Sequence, residues 1–302
     1  MTRQQLRLAS GRRVDYLEYG DPAGAPAVYL HGTPSSAREG RWLHTAACTR
    51  GVRLVSIDRP GYLNSEPCPV ASFTGVAQDV VAVAEVLQLG RFAVVGFSGG
   101  AGYALATAHV SPDRVTLVHL GGGIGSLAGD GGQDLPLPRR LPFKLIARAP
   151  AVSTPLLAGV FRLMRRGLRK RLDSPAEAAL WFFEGPARGA QIPAVAEYVR
   201  TSTDEDLRNE LNDWAASTSA TRAIVSDLTS YVRRWPFDLS GVSTRVEIWH
   251  GLDDPAAPVS FARRTASELP NARTHLFDAE GHFVFHTHGD AIAASIREHG
   301  EA

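Results

Sequence analysis

Short apolar runs and helix-spaced apolar residues alternate through the first 120 positions of the chain. Val14 to Tyr19 alternates polar and apolar residues, as a half-buried antiparallel strand does. Ala27–Leu30, Leu54–Ile57, Phe92–Val95 and Val115–Leu120 are short, mostly apolar runs that predict buried strands. The first two stop at turn signals, His31-Gly32-Thr33-Pro34 and Asp58-Arg59-Pro60-Gly61. Between Thr74 and Leu89 the residues Val76, Val80, Val83, Ala84 and Leu87 fall at helical spacing, and a small-residue helix is predicted over Ala101–Val110. Strands alternating with helices in this way predict a mostly parallel sheet covered on both faces.

From Gly121 to Trp235 the pattern changes. Pro and Gly become frequent, the apolar segments carry helical spacing, and no β-run of comparable quality occurs. Strand character resumes at Val246–His250, a helix is predicted over Ser260–Leu269, and Thr274–Phe277 reads as the last strand. The chain therefore divides into a first core segment (1–122), a helical lid or cap (123–235) and a second core segment (236–302).

With 44% hydrophobic and 21% charged residues the chain is neither disordered nor collagen-like. Its 32 Lys and Arg nearly balance 31 Asp and Glu, so the net charge of +1 predicts no nucleic-acid partner. No window approaches eighteen uninterrupted apolar residues, and no membrane association is expected. Met1–Leu8 lacks the apolar core of a secretion signal, and Cys48 and Cys68 are too few for a disulfide framework, so a cytoplasmic location is expected.

Gly96-Phe97-Ser98-Gly99-Gly100 contains G-x-S-x-G. In a chain with 29 glycines the pentapeptide carries little by itself, and a glycine turn with a helix-capping serine would explain it equally well. Its place between a strand and a helix is what a nucleophile elbow requires. A serine nucleophile needs a base and a group that orients the base. Gly251-Leu252-Asp253-Asp254-Pro255 follows one strand and Gly281-His282 follows the next, so the order is Ser, Asp, His, with 156 residues between Ser98 and Asp254 and 28 more to His282.

With these residues the chain resembles the α/β-hydrolase superfamily, in its branch of lidded esterase- and lipase-like serine hydrolases. Four patches carry the resemblance: His31–Pro34; Asp58–Tyr62; Gly96–Gly100 with the helix after it and Ser111–Val115; and Trp249–Pro258 with Gly281–Phe283. It implies a mostly parallel central sheet with helices on both faces and a helical lid inserted after the sixth core strand. It implies Ser98 as nucleophile, His282 as general base and acid, and Asp254, not its neighbour Asp253, as the orienting acid. The backbone N–H groups of Thr33 and Gly99 would form the oxyanion hole. Neither a metal nor an organic cofactor is implied. Activity should then rise with pH as His282 loses its proton, near the reference imidazole value of about 6.5.

Some positions depart from the family pattern. Leu63-Asn64-Ser65 stands where relatives often carry a glycine, so the loop after Tyr62 is expected to lean differently over the site. Gly99 replaces a larger residue and should widen the site floor. A serine nucleophile argues against haloalkane dehalogenases and epoxide hydrolases, and the lack of Trp after it argues against proline iminopeptidases.

Other signals read more plainly. Gly123–Ala128 loosely fits a dinucleotide loop but runs into Pro-rich sequence, as an exit into the lid would. His282, His286 and His288 lack a matched further ligand, so no metal is expected. Six of the ten residues from Arg162 to Arg171 are basic, either the solvated face of a lid helix or a docking patch for an acidic carrier protein. Trp181-Phe182-Phe183 either packs inside the lid or lines an acyl pocket, and Phe97, Trp181 and Phe182 are the candidate substrate contacts. The expected activity is acyl-enzyme cleavage of a carboxylic ester of a small, largely apolar molecule. A thioesterase or acyltransferase on a carrier-bound chain, and a non-hydrolytic receptor, lyase or cyclase, are the alternatives.

Overall fold

The computed structural model describes residues 1–68, 72–129, 131–135, 137–184 and 193–300. Its strands are β1 (Gln4–Arg7), β2 (Arg13–Gly20), β3 (Ala25–Leu30), β4 (Val52–Ile57), β5 (Phe92–Phe97), β6 (Val115–Gly121), β7 (Val246–Gly251) and β8 (Ala272–Phe277). They form one sheet in the order β1-β2-β4-β3-β5-β6-β7-β8. β2 pairs antiparallel with β1 and β4, and every pair from β4 to β8 is parallel. The apolar runs read from the sequence are the parallel strands. β1 escapes such a reading because Leu6 is its one buried residue, so it shows no alternation.

From β3 to β7 both faces of the sheet are buried, which is why these strands are mostly apolar, whereas the edge strand β8 is half-exposed. On one face Val28 and Leu30 pack with α2 (Phe73–Val86), α3 (Ala101–Val110) and α10 (Val259–Glu268). On the other, Ala27 and Tyr29 pack with α1 (His44–Arg50) and α12 (Gly289–Gly300). Successive residues of β3 thus serve opposite cores, as the two-residue period of a strand dictates.

Between β6 and β7 lie α4 (Leu137–Arg148), α5 (Pro150–Arg169), α6 (Pro175–Glu184), α7 (Pro193–Thr201), α8 (Asp204–Ser217) and α9 (Thr221–Val232). α4 and α5 pack on α9, and α6 packs on α7 and α8. A four-residue helix, α11 (Val284–Thr287), precedes α12.

The register sets where chemistry can occur. Leu30 pairs with Ile57 and with Gly96, Gly96 with Leu120, Gly121 with Trp249, and Gly251 with Phe277. The carboxyl ends of β3 to β8 therefore lie along one edge, and the loops after them meet there. That edge is where open parallel sheets place their ligands.

Candidate active site

Ser98 follows the last residue of β5 and takes φ +48°, while α3 begins three residues on. A non-glycine residue in the left-handed region costs roughly 1–2 kcal/mol, and the strand and helix packed on either side hold it there. This is the sharp strand-to-helix turn expected of a nucleophile elbow.

The loop after β7 carries Asp254, 7% exposed, and the loop after β8 carries His282. Nδ1 of His282 donates to Oδ2 of Asp254 at 2.8 Å. Oδ1 of Asp254 accepts the N–H groups of Ala256 and Ala257 at 2.7 and 2.9 Å. Burial pushes this carboxyl's pKa up, but His282 and the Ala257 N–H outweigh burial and hold it below its ordinary value. It is therefore a carboxylate through the neutral range. Asp253 is exposed, and its backbone N–H bonds Glu280 O.

Two features seat the imidazole. Phe97, 3% exposed, packs against it with ring centroids 4.9 Å apart. At Gly122, just past β6, a Cβ would lie 2.9 Å from Nδ1 of His282, so only glycine leaves room for the ring. Phe97 thus backs the His282 ring.

Thr33 and Gly99 adjoin. A Cβ at Gly99 would sit 2.4 Å from Oγ1 and 3.1 Å from the backbone N of Thr33. The missing side chain therefore does not widen the site floor, as the sequence led us to expect, because Thr33 fills the space. Leu63 adopts φ +47°, the conformation a glycine would enter freely, so the chain turns there as a glycine would turn it.

Beneath Thr33 lies a charged network that sequence reading missed. Asp227, from α9, accepts hydrogen bonds on Oδ2 from Thr33 Oγ1 (2.8 Å), Arg59 Nη1 (2.7 Å) and Tyr62 OH (2.6 Å), and on Oδ1 from Tyr103 OH (2.7 Å). Arg59 also donates to Thr33 Oγ1 and to the carbonyls of His31 and Gly32. Arg59 stood inside a recognised motif but signalled no role, and Asp227 had no local signal. The same pair helps line a cavity of about 650 Å³ with Pro60, Cys68, Tyr103 and Arg222, and none of Ser98, Asp254 and His282 lines it.

Two buried carboxyls flank the site. Glu39 accepts the Gly32 N–H (2.8 Å) and the Tyr29 hydroxyl (3.1 Å). Glu210, from α8, accepts the Trp42 indole N–H on Oε1, and its other oxygen has no partner among the described residues. Burial pushes Glu39 up to about 7. Burial, with Glu39's charge adding to it, pushes Glu210 up to about 8. A carboxyl raised in the folded state stabilises fully below its unfolded pKa near 4.3, and loses that contribution as pH passes the folded value. Glu210→Gln, which keeps a neutral group in place, should therefore gain in Tm relative to wild type as pH rises from about 5 to about 8. A Tm difference that stays constant across that range, measured by calorimetry, would show that Glu210 does not titrate there.

The remaining residues singled out by sequence separate into two groups. His288 bonds Glu280 at 2.8 Å and stacks on Phe277, and His286 sets its edge on Tyr198, so both rings are held by packing. Trp181 lies against Gly167 and beneath the Arg171 guanidinium, 4.5 Å from its ring centroid, inside the insertion. The side chain of Phe182 falls outside the described residues.

The chain is similar to proteins of known name. A 2-hydroxy-6-oxononadienedioate/2-hydroxy-6-oxononatrienedioate hydrolase of Burkholderia vietnamiensis is 25% identical over 296 residues, covering 95% of this chain and 90% of that protein. A 2-hydroxymuconate semialdehyde hydrolase of Pseudomonas putida is 23% identical over 294 residues, covering 96% and 91%. An esterase of Exiguobacterium antarcticum superposes with a TM-score of 0.68 at 18% identity, all of both chains covered. The model of the alpha/beta hydrolase family matches residues 27–295. The chain therefore belongs to the alpha/beta hydrolase family, a hydrolase built on the sheet and loop arrangement described above.

Proposed function

We propose that this protein is a serine hydrolase that cleaves the carboxylic ester of a small, largely apolar molecule through an acyl-enzyme. The observation that carries the reading is the His282–Asp254 hydrogen bond at the sheet edge where Ser98 turns out of β5. Ser98 Oγ attacks the acyl carbon as Nε2 of His282 takes its proton. Asp254 holds the ring in that tautomer and stabilises the imidazolium. The N–H groups of Thr33 and Gly99 receive the oxyanion, each worth about 3 kcal/mol to the transition state. His282 returns its proton to the leaving alcohol, then deprotonates the water that releases the acid.

A second reading rests on the two full-length relatives. The compounds in their names carry carbonyl and carboxyl groups but no ester, so water can divide them only at a carbon–carbon bond beside a carbonyl. The same nucleophile and oxyanion donors suit attack on that carbonyl.

A fluorophosphonate probe read by intact mass spectrometry tests the serine chemistry: one adduct is expected on wild type and none on Ser98→Ala. Equal labelling of both proteins, or of neither, defeats the proposal. Comparing kcat/KM on p-nitrophenyl esters with that on 2-hydroxymuconate semialdehyde then decides the bond. A preference for the semialdehyde by more than about tenfold would replace the ester reading with the second one.

A further inference from the structure

Among the described residues eleven large apolar side chains are exposed, and seven of them lie on α4 and α5. On α4 these are Leu137, Leu141 and Leu145, at four-residue spacing. On α5 they are Val152, Leu156, Val160 and Leu163, the last 71% exposed. Residues three and four apart share one face of a helix, so each set forms a ridge. Ile146 on α4 and Leu168 on α5 turn away from these ridges and are buried, at 2% and 1% exposure. α9, on which both helices pack, lies on the inner side. The ridges are therefore not core residues caught at a boundary.

Cations accompany them. Residues 135–172 contain ten Lys and Arg and no Asp or Glu. The whole chain's +1 less this segment's +10 leaves −9 for the remainder, so near-neutrality overall conceals a strongly cationic face. Arg162, Arg165, Arg166, Arg169 and Lys170 alone line a surface groove of about 450 Å³. Arg165 donates to Ser219, but Arg162, Arg166, Arg169 and Lys170 have no hydrogen-bond or ion-pair partner among the described residues. Arg140, Lys144 and Arg148 line a second hollow of about 220 Å³ beside α4.

We propose that the α4–α5 face docks on the surface of an anionic phospholipid bilayer, its apolar ridges entering the interface while its cations meet lipid phosphates and carboxylates. Charge complementarity chooses this occupant. A second copy of the chain would set two acid-free cationic faces against each other. An acidic protein would satisfy the cations and leave the two aliphatic ridges in need of a matching groove. A bilayer with anionic headgroups answers both at once, and helices with apolar and cationic residues side by side lie in such interfaces. The contact is peripheral, since no helix among the described residues is long and apolar enough to cross a membrane.

Flotation of the full chain with vesicles tests this. Partitioning onto phosphatidylcholine vesicles containing about 30% phosphatidylserine should exceed that onto phosphatidylcholine alone by about tenfold or more, and should fall at high salt. The triple variant Arg162→Glu, Arg166→Glu, Lys170→Glu and the double variant Leu156→Ser, Leu163→Ser should each lose about tenfold in partitioning, with circular dichroism unchanged. Loss in the charge variant only would overturn the interfacial role of the ridges and point to an acidic protein. No partitioning by wild type, with light scattering showing a dimer that the Leu156→Ser, Leu163→Ser variant dissolves, would overturn the proposal in favour of a second copy. No partitioning by a monomeric wild type overturns it outright.

Discussion

Ser98→Ala is expected to lower kcat by a factor on the order of 10⁴ to 10⁶, and His282→Ala by a similar amount, with the double variant no worse than either single one. The three groups act as one unit: without the hydroxyl there is nothing for the base to deprotonate, and without the base the hydroxyl is a weak nucleophile. What survives comes from the oxyanion donors and from binding. Asp254→Asn should cost about 10⁴, because an amide that places its N–H toward His282 favours the wrong imidazole tautomer. The carboxylate's other oxygen is committed to two backbone N–H groups, which leaves an asparagine little freedom to turn. Asp253→Asn is the matched control and should stay within about twofold, since Asp253 is exposed and away from the imidazole. Steady-state kinetics on one chromogenic ester decides the matter. A Ser98→Ala enzyme within tenfold of wild type would remove the serine from the mechanism.

Asp227→Ala should be the most destabilising single change in the insertion. One carboxylate, 6% exposed, accepts from Thr33, Arg59, Tyr62 and Tyr103. Removing it strands the Arg59 guanidinium, 1% exposed, beside three hydroxyls that lose their acceptor. Breaking a buried ion pair from one side costs about 3–5 kcal/mol. For a chain of this size that lowers Tm by roughly 10 °C. Replacing both charges, as in Arg59→Met with Asp227→Leu, should recover much of the loss, because no uncompensated charge then remains. Activity should follow a different course. Thr33 loses one of its two side-chain anchors in Asp227→Ala, so kcat should fall even well below the melting temperature. Urea unfolding of the two variants checks the stability claim, and an Asp227→Ala loss under about 1 kcal/mol would mean that the carboxylate is not paired in solution.

Much of this protein can be read along the chain. Mostly apolar runs of four to six residues mark β3 to β7 because a parallel strand buries both faces, and that signal needs no partner to be seen. The elbow serine, and the order Ser, Asp, His, are legible because each residue sits directly after a strand, where a loop at the sheet edge must follow. β1 was invisible for the converse reason, having one buried side chain and its stability in the ladder with β2. The net charge of +1 conceals the ten Lys and Arg gathered in residues 135–172, since a sum over the chain says nothing of where the charges lie.

Tertiary structure decided what depends on approach between distant segments. Asp254 and Asp253 are equal in sequence, and the fold gives the imidazole to one and solvent to the other. Gly99 promised space that the Thr33 side chain, arriving on another loop, takes up. Asp227 lies 129 residues beyond Ser98 on a helix with no motif, yet it reaches the loop that holds Thr33. Propensity and periodicity act over a few residues, so the local pattern revealed the parallel strands, their alternation with helices and the order of Ser98, Asp254 and His282. Which of those groups touch, and which carboxyls are buried beside them, follows from packing among segments far apart in the chain. That is a property of the folded whole, set by distances no local pattern encodes.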